Sequence, residues 1–392
     1  MSRLALTSDF LSTLRSNLLK HEKETCAVLY GRAVEISGKL ARIIVRESEH
    51  PQANAYSERT SVRVQLRPEF VAEVVQRARR NKESVIFVHT HPFSLNKFSA
   101  IDDAGESELA VFLNQRVPEV AHAALLLTPE ASIARELGTK KPLRVVGVGE
   151  RILYGDTPVR NGVNIRYDRQ IRTFGVAGQK ILESIRVGIV GVGGTGSSVL
   201  QQLVHLGVRD LVLIDPDTIE ETNLNRLFGA KPQDVGKFKV IVAEAWAKKI
   251  NPAAKIEAKR DSTLKASVAR SLADVDFVFC CTDSHGSRAI LNQFAYQYLV
   301  PTIDMGVVIA APAGKVTHIA GRTQMLAPGL ACLACGNLLD AEQVRRDLLT
   351  DFERRTDPYI LGEPEPAPAV ISLNSTMASL AVTMFLNAVV GV

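Results

Sequence analysis

Arg186-Val-Gly-Ile-Val190-Gly191-Val-Gly193-Gly194-Thr-Gly196-Ser197 runs an apolar strand into a glycine turn and then into a helix expected over Ser197–Leu206. Backbone N–H groups at such a helix start, together with the positive end of its dipole, can meet phosphate oxygens. A second strand follows at Leu211–Ile214 and ends in Asp215, 19 residues beyond Gly196, where a carboxylate reaches a ribose hydroxyl. A helix near Lys239–Ile250 and a third strand at Asp276–Cys281 continue the alternation. The second half therefore reads as a doubly wound, Rossmann-like α/β sheet with a nucleotide site at Gly191, Gly193, Gly194, Gly196 and Asp215.

The 392 residues exceed one ordinary core, and 46% hydrophobic against 23% charged residues gives enough apolar material for two. Formal charge is +5 from 47 basic and 42 acidic residues, and no window interleaves basic with aromatic residues, so dedicated nucleic-acid binding is not expected. Five cysteines, with Cys280 and Cys281 adjacent, make an odd and sparse set for a disulfide framework, and no export signal precedes the opening helix read from Leu4. A reducing, cytoplasmic setting is the expectation. The charge-free tail Ala367 to Val392 is interrupted by Ser372, Asn374, Ser375, Thr376, Ser379, Thr383 and Asn387, and reads as a buried helix of a domain or dimer core; no membrane association is expected.

The first half mixes strands at Cys26–Tyr30 and Ala41–Val45, a helix after Pro68 with Phe70, Val74, Val75 and Ala78 on one face, and the apolar run Ser84–Val88. That run ends in His89-Thr-His91, and Ser99 and Asp102 follow. The two-residue period of a strand points both imidazoles to one side, and the loop can return Asp102 as a third ligand. Three protein ligands leave a fourth position for water, the arrangement of a hydrolytic zinc site. Glycines and prolines between Gly138 and Gly162 suggest a terminal hairpin running into a linker, with the boundary near Asp156. The domains are therefore placed at 1–142 and 163–392, with 143–162 as linker.

His89-x-His91-x7-Ser99-x2-Asp102, with Glu24 in Glu24-Thr-Cys-Ala-Val-Leu-Tyr-Gly31 upstream, resembles the JAB/MPN (JAMM) metalloproteases over roughly residues 1–140. The resemblance implies an MPN-type α/β zinc domain. In it His89, His91 and Asp102 would bind Zn2+, Glu24 would take a proton from the activated water, and Ser99 would hydrogen-bond the developing oxyanion. Ala27 stands where the family carries glycine. His21, His50, His122, His205, His285 and His318 have no such company and are assigned no role.

Asp215-x-Asp217 through Asn223-Leu-Asn-Arg226, then Gly236-x-x-Lys239, then Cys281-Thr-Asp283, with Arg166-Tyr-Asp-Arg169 upstream, resemble the ThiF/MoeB/HesA and ubiquitin-activating-enzyme adenylation domain over about residues 163–392. That resemblance implies ATP and Mg2+ as cofactors. Asp215 would hold the ribose, Asn223, Arg226 and Lys239 the triphosphate, and Asp283 the magnesium, with Asp217 and Arg288 in support. Arg169 would reach across a homodimer interface to the partner's ATP. The partners implied are a ubiquitin-like carrier protein with a C-terminal glycine and a conjugating or sulfur-transfer protein.

Cys332-Leu-Ala-Cys335 matches half of the family's four-cysteine zinc clasp, and the second Cys-x-x-Cys is absent. The acyl-accepting cysteine before the last helix is absent too, so a thioester would have to form on Cys335 or Cys332. Together the halves read as a bifunctional enzyme: (iso)peptide cleavage beside a C-terminal glycine, deubiquitinase-like, and ATP-dependent adenylation of that carboxylate. Alternatives are an adenylating enzyme whose first domain is a metal-free docking module, adenylation of a small peptide or amino acid, and an NAD-dependent oxidoreductase. Arg226, Lys239 and Asp283 argue against the last.

Overall fold

A computed structural model of the chain describes residues 1–93, 96–155, 164–311, 315–350, 353 and 368–391, divided into two compact units, Met1–Thr157 and Pro158–Val392. The first unit opens with strand β1 (Arg3–Thr7) and helix α1 (Ser8–Leu19), capped by the Thr7 hydroxyl on the Phe10 N–H at 3.2 Å. The opening stretch expected as one helix from Leu4 is thus first a strand. Leu4 and Leu6 are buried because β1 lies between two neighbours, pairing in parallel with both β3 (Lys39–Glu49) and β9 (Pro142–Val148).

β2 (Cys26–Ile36) joins β3 through Ser37 and Gly38, both at positive φ, as a two-residue hairpin of matching twist requires. A short hairpin of β4 (Tyr56–Arg59) and β5 (Val64–Leu66) precedes α2 (Pro68–Asn81), which starts on Pro68 and buries Val74, Val75 and Ala78. β6 (Ser84–Thr90), α3 (Ala100–Arg116), β7 (Ala123–Leu127), β8 (Ser132–Glu136) and β10 (Leu153–Tyr154) complete the unit. The main sheet runs β1-β3-β2-β6-β7-β8-β9-β10, and the β1–β9 pairing closes it on itself. Ala27 and Leu29 of β2 face the core with α1, while Val28 and Tyr30 face the core with α2. Both faces being covered, the strand reads as a continuous apolar run rather than an alternating one.

The linker expected at 143–162 begins too early, because 142–148 is β9, held between β1 and β8, and β10 folds back on it. The boundary placed near Asp156 lies outside the described residues.

The second unit contains α4 (Asp168–Ser184), β11 (Arg186–Val190), α5 (Gly194–Leu206), β12 (Asp210–Ile214), α6 (Lys239–Ile250), β13 (Lys255–Lys259), α7 (Ala266–Ser271), β14 (Phe277–Cys280), α8 (His285–Gln297), β15 (Thr302–Ala310), β16 (His318–Leu326), α9 (Ala341–Leu348) and α10 (Ile371–Val390). Strand order is β13-β12-β11-β14-β15-β16, parallel as far as β15 with β16 antiparallel at the edge. This is the doubly wound order, whose strand sequence reverses between β11 and β14 and opens a crevice at their carboxyl ends.

Among the described residues α10 alone is long and apolar enough to cross a membrane. Asn374, Ala378, Ala381, Val382, Phe385, Ala388 and Val389 form a buried stripe along it. The Phe385 ring lies 4.9 Å from that of Phe277 and 5.4 Å from that of Phe279, so α10 covers the sheet as a core helix does. Of the proline-rich stretch 363–368, residues 363–367 lie outside the described residues.

Candidate active sites

β6 is pinned between β2 and β7, with His89 opposite Cys26 and Leu126, and the ladder continues to a His91 N–H bond on the Leu127 carbonyl at 3.0 Å. The two imidazoles consequently share a side, with ring centroids 5.1 Å apart. Asp102 arrives from the first turn of α3. Its carboxylate lies 3.2 Å from His89 Nε2 through Oδ1 and 3.3 Å from His91 Nε2 through Oδ2. One nitrogen or oxygen from each of the three lies within 4.8 Å of the others, a spacing one ion can span.

Ser99 is the N-cap of α3 and forms a reciprocal box with Asp102. The Ser99 N–H donates to Asp102 Oδ2 at 2.6 Å, and the Asp102 N–H donates to Ser99 Oγ at 3.2 Å. The capping bond uses Ser99 Oγ only as acceptor, so its hydroxyl proton can still be donated. Burial works against a charged Asp102, yet both imidazoles and the Ser99 N–H outweigh it and hold the carboxyl well below its ordinary range. Ser99→Ala removes the cap, worth about 1 kcal/mol. Amide hydrogen exchange at Asp102 and Asp103 in the metal-free protein is expected to quicken by roughly fivefold.

Glu24 precedes β2 with its main chain tied on both sides: its N–H donates to the Thr60 carbonyl at 2.8 Å, and its carbonyl accepts Arg59 Nε–H at 3.2 Å. Its Oε1 is 3.7 Å from His91 Nε2. Burial raises the Glu24 carboxyl, against the attraction of His89 and His91. A raised carboxylate is the better proton acceptor at neutral pH.

The zinc expected here fits the residues present. His89 Nε2 is buried and lacks a hydrogen-bond partner among the described residues, its closest polar atom being the acidic Asp102 oxygen, and two neutral imidazoles with one carboxylate are a zinc donor set. Among the described residues the cluster consists of these three, and burial pushes the neighbouring Cys26 thiol up to about 12.

Three residues beside this cluster were not singled out from the sequence. Phe98 sets its ring 5.8 Å from His89, and the Arg135 guanidinium stacks 3.8 Å above Phe98. Arg135 in turn donates to Glu106 Oε2 at 2.8 Å. A carboxylate at 106, four before the buried Ala110 on the same helix face, is the signal that could have drawn attention to this wall. His122, left without a role, accepts the Val85 N–H at 3.0 Å and is a packed structural side chain.

In the second unit Gly191 turns at φ +84°, where a Cβ would stand 2.8 Å from the Cys281 carbonyl. Gly196 packs directly on the Gly191 carbonyl. Gly193 is the N-cap of α5 without a side-chain cap, and a Cβ there would meet nothing within 4 Å. The N-cap position itself therefore has room beside it for a phosphate oxygen, while Asn374 and Arg226 lie against the next residue, Gly194.

Asp215 accepts the Val192 N–H at 2.7 Å on Oδ2 and the Asp217 N–H at 2.9 Å on Oδ1. Burial raises its carboxyl, with Lys239 and both N–H groups pulling the other way. Lys239 begins α6 and rests its ammonium on Asp217 at 2.7 Å. Asn223 spends Oδ1 on the Glu220 N–H at 3.2 Å, fixing the turn that carries Arg226. Arg226 Nη1 donates to the Thr222 carbonyl at 2.7 Å, and its stem lies against Gly194. Asp283 follows β14 and is exposed, with no hydrogen bond or ion pair among the described residues.

Arg169 is exposed in the first turns of α4, before the break at Phe174 and Gly175. Arg288 does not attend Asp283. It forms a two-pronged pair with the fully buried Asp304 of β15, at 2.9 and 3.0 Å, and Arg322 joins the same carboxylate. Asp304 escaped the sequence reading, although a lone carboxylate inside Val300-Pro-Thr-Ile-Asp-Met-Gly-Val-Val308 is a visible irregularity in an apolar strand. Asn374 of α10, read from the sequence only as a polar interruption of the apolar tail, packs its side-chain amide on Gly194.

Residues 167–392 match the ThiF family, and residues 8–135 match the prokaryotic homologs of the JAB domain. The molybdopterin-synthase adenylyltransferase of Escherichia coli is 37% identical over 141 residues, 36% of this chain and 57% of that protein. The SAMP-activating enzyme E1 of Haloferax volcanii is 31% identical over 172 residues, 43% of this chain and 60% of that protein. The chain thus spans less than two thirds of the length of either relative. Among solved structures, E. coli MccB with MccA-N7isoASN has a TM-score of 0.45 at 21% identity, covering 61% of this chain and 67% of that one.

Proposed function

The chain belongs to the ThiF family through residues 167–392, and from that premise we propose that its second unit adenylates the C-terminal carboxylate of a ubiquitin-like carrier protein with ATP. The first unit, in the same proposal, is a zinc-dependent peptidase that cleaves the amide or isopeptide bond beside the carrier's C-terminal glycine. The observation that carries the first statement is the start of α5, which has no side-chain cap and open space at Gly193, with the Arg226 stem against Gly194. The names of the relatives, an adenylyltransferase and an activating enzyme, support it.

The Gly193–Gly196 N–H groups would hold phosphate oxygens. Asp215 already accepts two main-chain N–H groups, but a carboxylate offers about four lone-pair positions, so it can take a ribose hydroxyl as well. A carrier carboxylate oxygen attacks the α-phosphorus, the bond to the bridging β-phosphate oxygen breaks, and pyrophosphate leaves. Arg226 and Lys239 face the negative charge that this builds. Magnesium, when bound, neutralises phosphate charge, and the exposed Asp283 would hold it. Arg169 would complete the site of the second copy in a homodimer.

In the first unit, bound zinc acidifies water and polarises a carbonyl. His89, His91 and Asp102 would hold it, Glu24 would accept the water's proton and pass it to the leaving amine, and the Ser99 hydroxyl would donate to the oxyanion. Both units suit a thin, glycine-ended tail, and a cytoplasmic setting agrees with the reduced cysteines of the proposal.

The test is pyrophosphate exchange into ATP by the full chain, stimulated by a glycine-terminated ubiquitin-like protein. Absence of exchange with every carboxylate-terminated carrier tried overturns the adenylation reading. A zinc-selective chelator is expected to stop cleavage of carrier fusions while exchange continues; cleavage that persists in metal-free protein overturns the peptidase reading.

A further inference from the structure

Ile214, Val190, Cys280 and Asp304 form one row across the sheet of the second unit, set by the registers of β12, β11, β14 and β15. The residues that follow the first three are Asp215, Gly191 and Cys281, so Asp304 stands level with the carboxyl rim on which the nucleotide residues lie. At about 4.8 Å between neighbouring strands it is roughly 10 Å from the glycine turn, on the flank away from Asp215. Arg288 comes from the start of α8, and Arg322 from β16, where it sits opposite Gly306, two residues beyond Asp304.

Two guanidiniums share this one carboxylate. Arg288 Nε and Nη2 take one oxygen each, and Arg322 Nη2 joins at Oδ2, which leaves one positive charge unbalanced. Arg322 Nη1 donates to Gln324 Oε1 at 2.9 Å, while Arg322 Nε and Arg288 Nη1 make no hydrogen bond among the described residues. The Arg322 side chain is 30% exposed. A buried ion pair adds little stability over apolar residues of the same volume, so folding alone does not account for the cluster.

Adenylation displaces pyrophosphate in line, with the nucleophile and the leaving group on opposite sides of the α-phosphorus. Arg226 and Lys239 come from the connection after β12 and the start of α6, on one flank of the glycine turn. Arg288 and Arg322 come from the other. We propose that Arg322 and Arg288, aimed by Asp304, receive the terminal carboxylate of the molecule to be adenylated. Sharing Asp304 weakens the pair's net charge, so it orients the incoming carboxylate and leaves an oxygen free to attack. Asp304 is a positioning residue, acting through the two arginines. The identity of the occupant rests on the adenylation reading, but the cationic seat itself does not.

The experiment titrates the full chain with a fluorescent hexapeptide ending in Gly-Gly, as the free acid and as the terminal amide, and reads anisotropy. The acid is expected to bind roughly 10–100-fold more tightly, the worth of charge-assisted hydrogen bonds. Arg322→Gln is expected to lose most of that preference with amide binding unchanged, and Arg322→Lys to regain part of it; a merely structural role would weaken acid and amide alike. Failure of the acid to bind, or equal affinity for acid and amide in the parent chain, overturns the seat without any variant having to fold. A preference that survives intact in Arg322→Gln overturns it as well. Pyrophosphate exchange is scored separately. A chain that prefers the acid through Arg322 but exchanges with no carrier keeps the seat and loses the adenylation reading, whereas exchange at an unchanged carrier KM in Arg322→Gln keeps that reading and overturns the seat.

Discussion

Arg226→Ala is expected to lower carrier-dependent pyrophosphate exchange by roughly 10²–10³-fold at saturating ATP, the usual cost of removing one preorganised donor from developing charge. The side chain is held in one place by its neighbours. Its Nη1 donates to the Thr222 carbonyl and to Asn225 Oδ1, its stem runs against Gly194, and the rest of its five-donor fork is left for a ligand. Its hydrogen-bond partners lie within four residues along the chain, so beyond the turn truncation removes only the stem's contact with Gly194, and the loss is expected to fall on kcat more than on folding. Lys239→Ala is expected to cost a similar factor and to leave Asp217 without its ammonium partner. Lys239→Arg restores charge without the point geometry of an ammonium and is expected to rescue poorly. Thermal melting of each variant separates chemistry from folding, and unchanged exchange in Arg226→Ala removes the triphosphate role assigned to it.

On the proposed function, Asp102→Asn or His89→Ala is expected to abolish both metal content and cleavage, by on the order of 10³-fold or more in rate, since a Lewis acid supplies several kcal/mol to the transition state. Exchange in the other unit should be untouched. Glu24→Gln separates ligand from base, because its carboxylate approaches His91 at 3.7 Å without belonging to the three-ligand group. Zinc content should stay near one per chain while cleavage falls by roughly 10²–10⁴-fold, the range for a lost general base. Cleavage by Glu24→Gln at the parent rate would pass the base role to another group.

What could be read from the chain alone follows from how local each signal is. The glycine turn, the strand before it and the helix after it lie within about twenty residues, so short-range pattern and chirality determine them. His89 and His91 were legible because strand period alone aligns them, and Ser99 and Asp102 because a capping box has a fixed spacing. Residues 3–7 were misread because Leu4 and Leu6 are equally at home on a helix face, and only their pairing with β3 and β9, far along the chain, makes them a strand. β9 was lost to the linker for the same reason, its partners being β1 and β8. The Asp304 clamp draws Arg288 and Arg322 from two different elements, and Asn374 meets Gly194 across 180 positions, distances at which a single sequence carries no register. Arg288, a supporting candidate for magnesium and positioning by resemblance, is instead paired with the buried Asp304 carboxylate.

The reciprocal bonds between Ser99 and Asp102 make one carboxylate the opening stitch of α3 and, on the proposed function, an arm of the ion's cradle. Helix formation therefore sets the posture of that arm before any ion arrives, and the sheet does the same for the imidazoles. Stripping and reloading should then resemble emptying and refilling a rigid cup: reconstitution proceeds at the pace of ion encounter, with no lag from chain rearrangement, and the emptied unit keeps its circular dichroism.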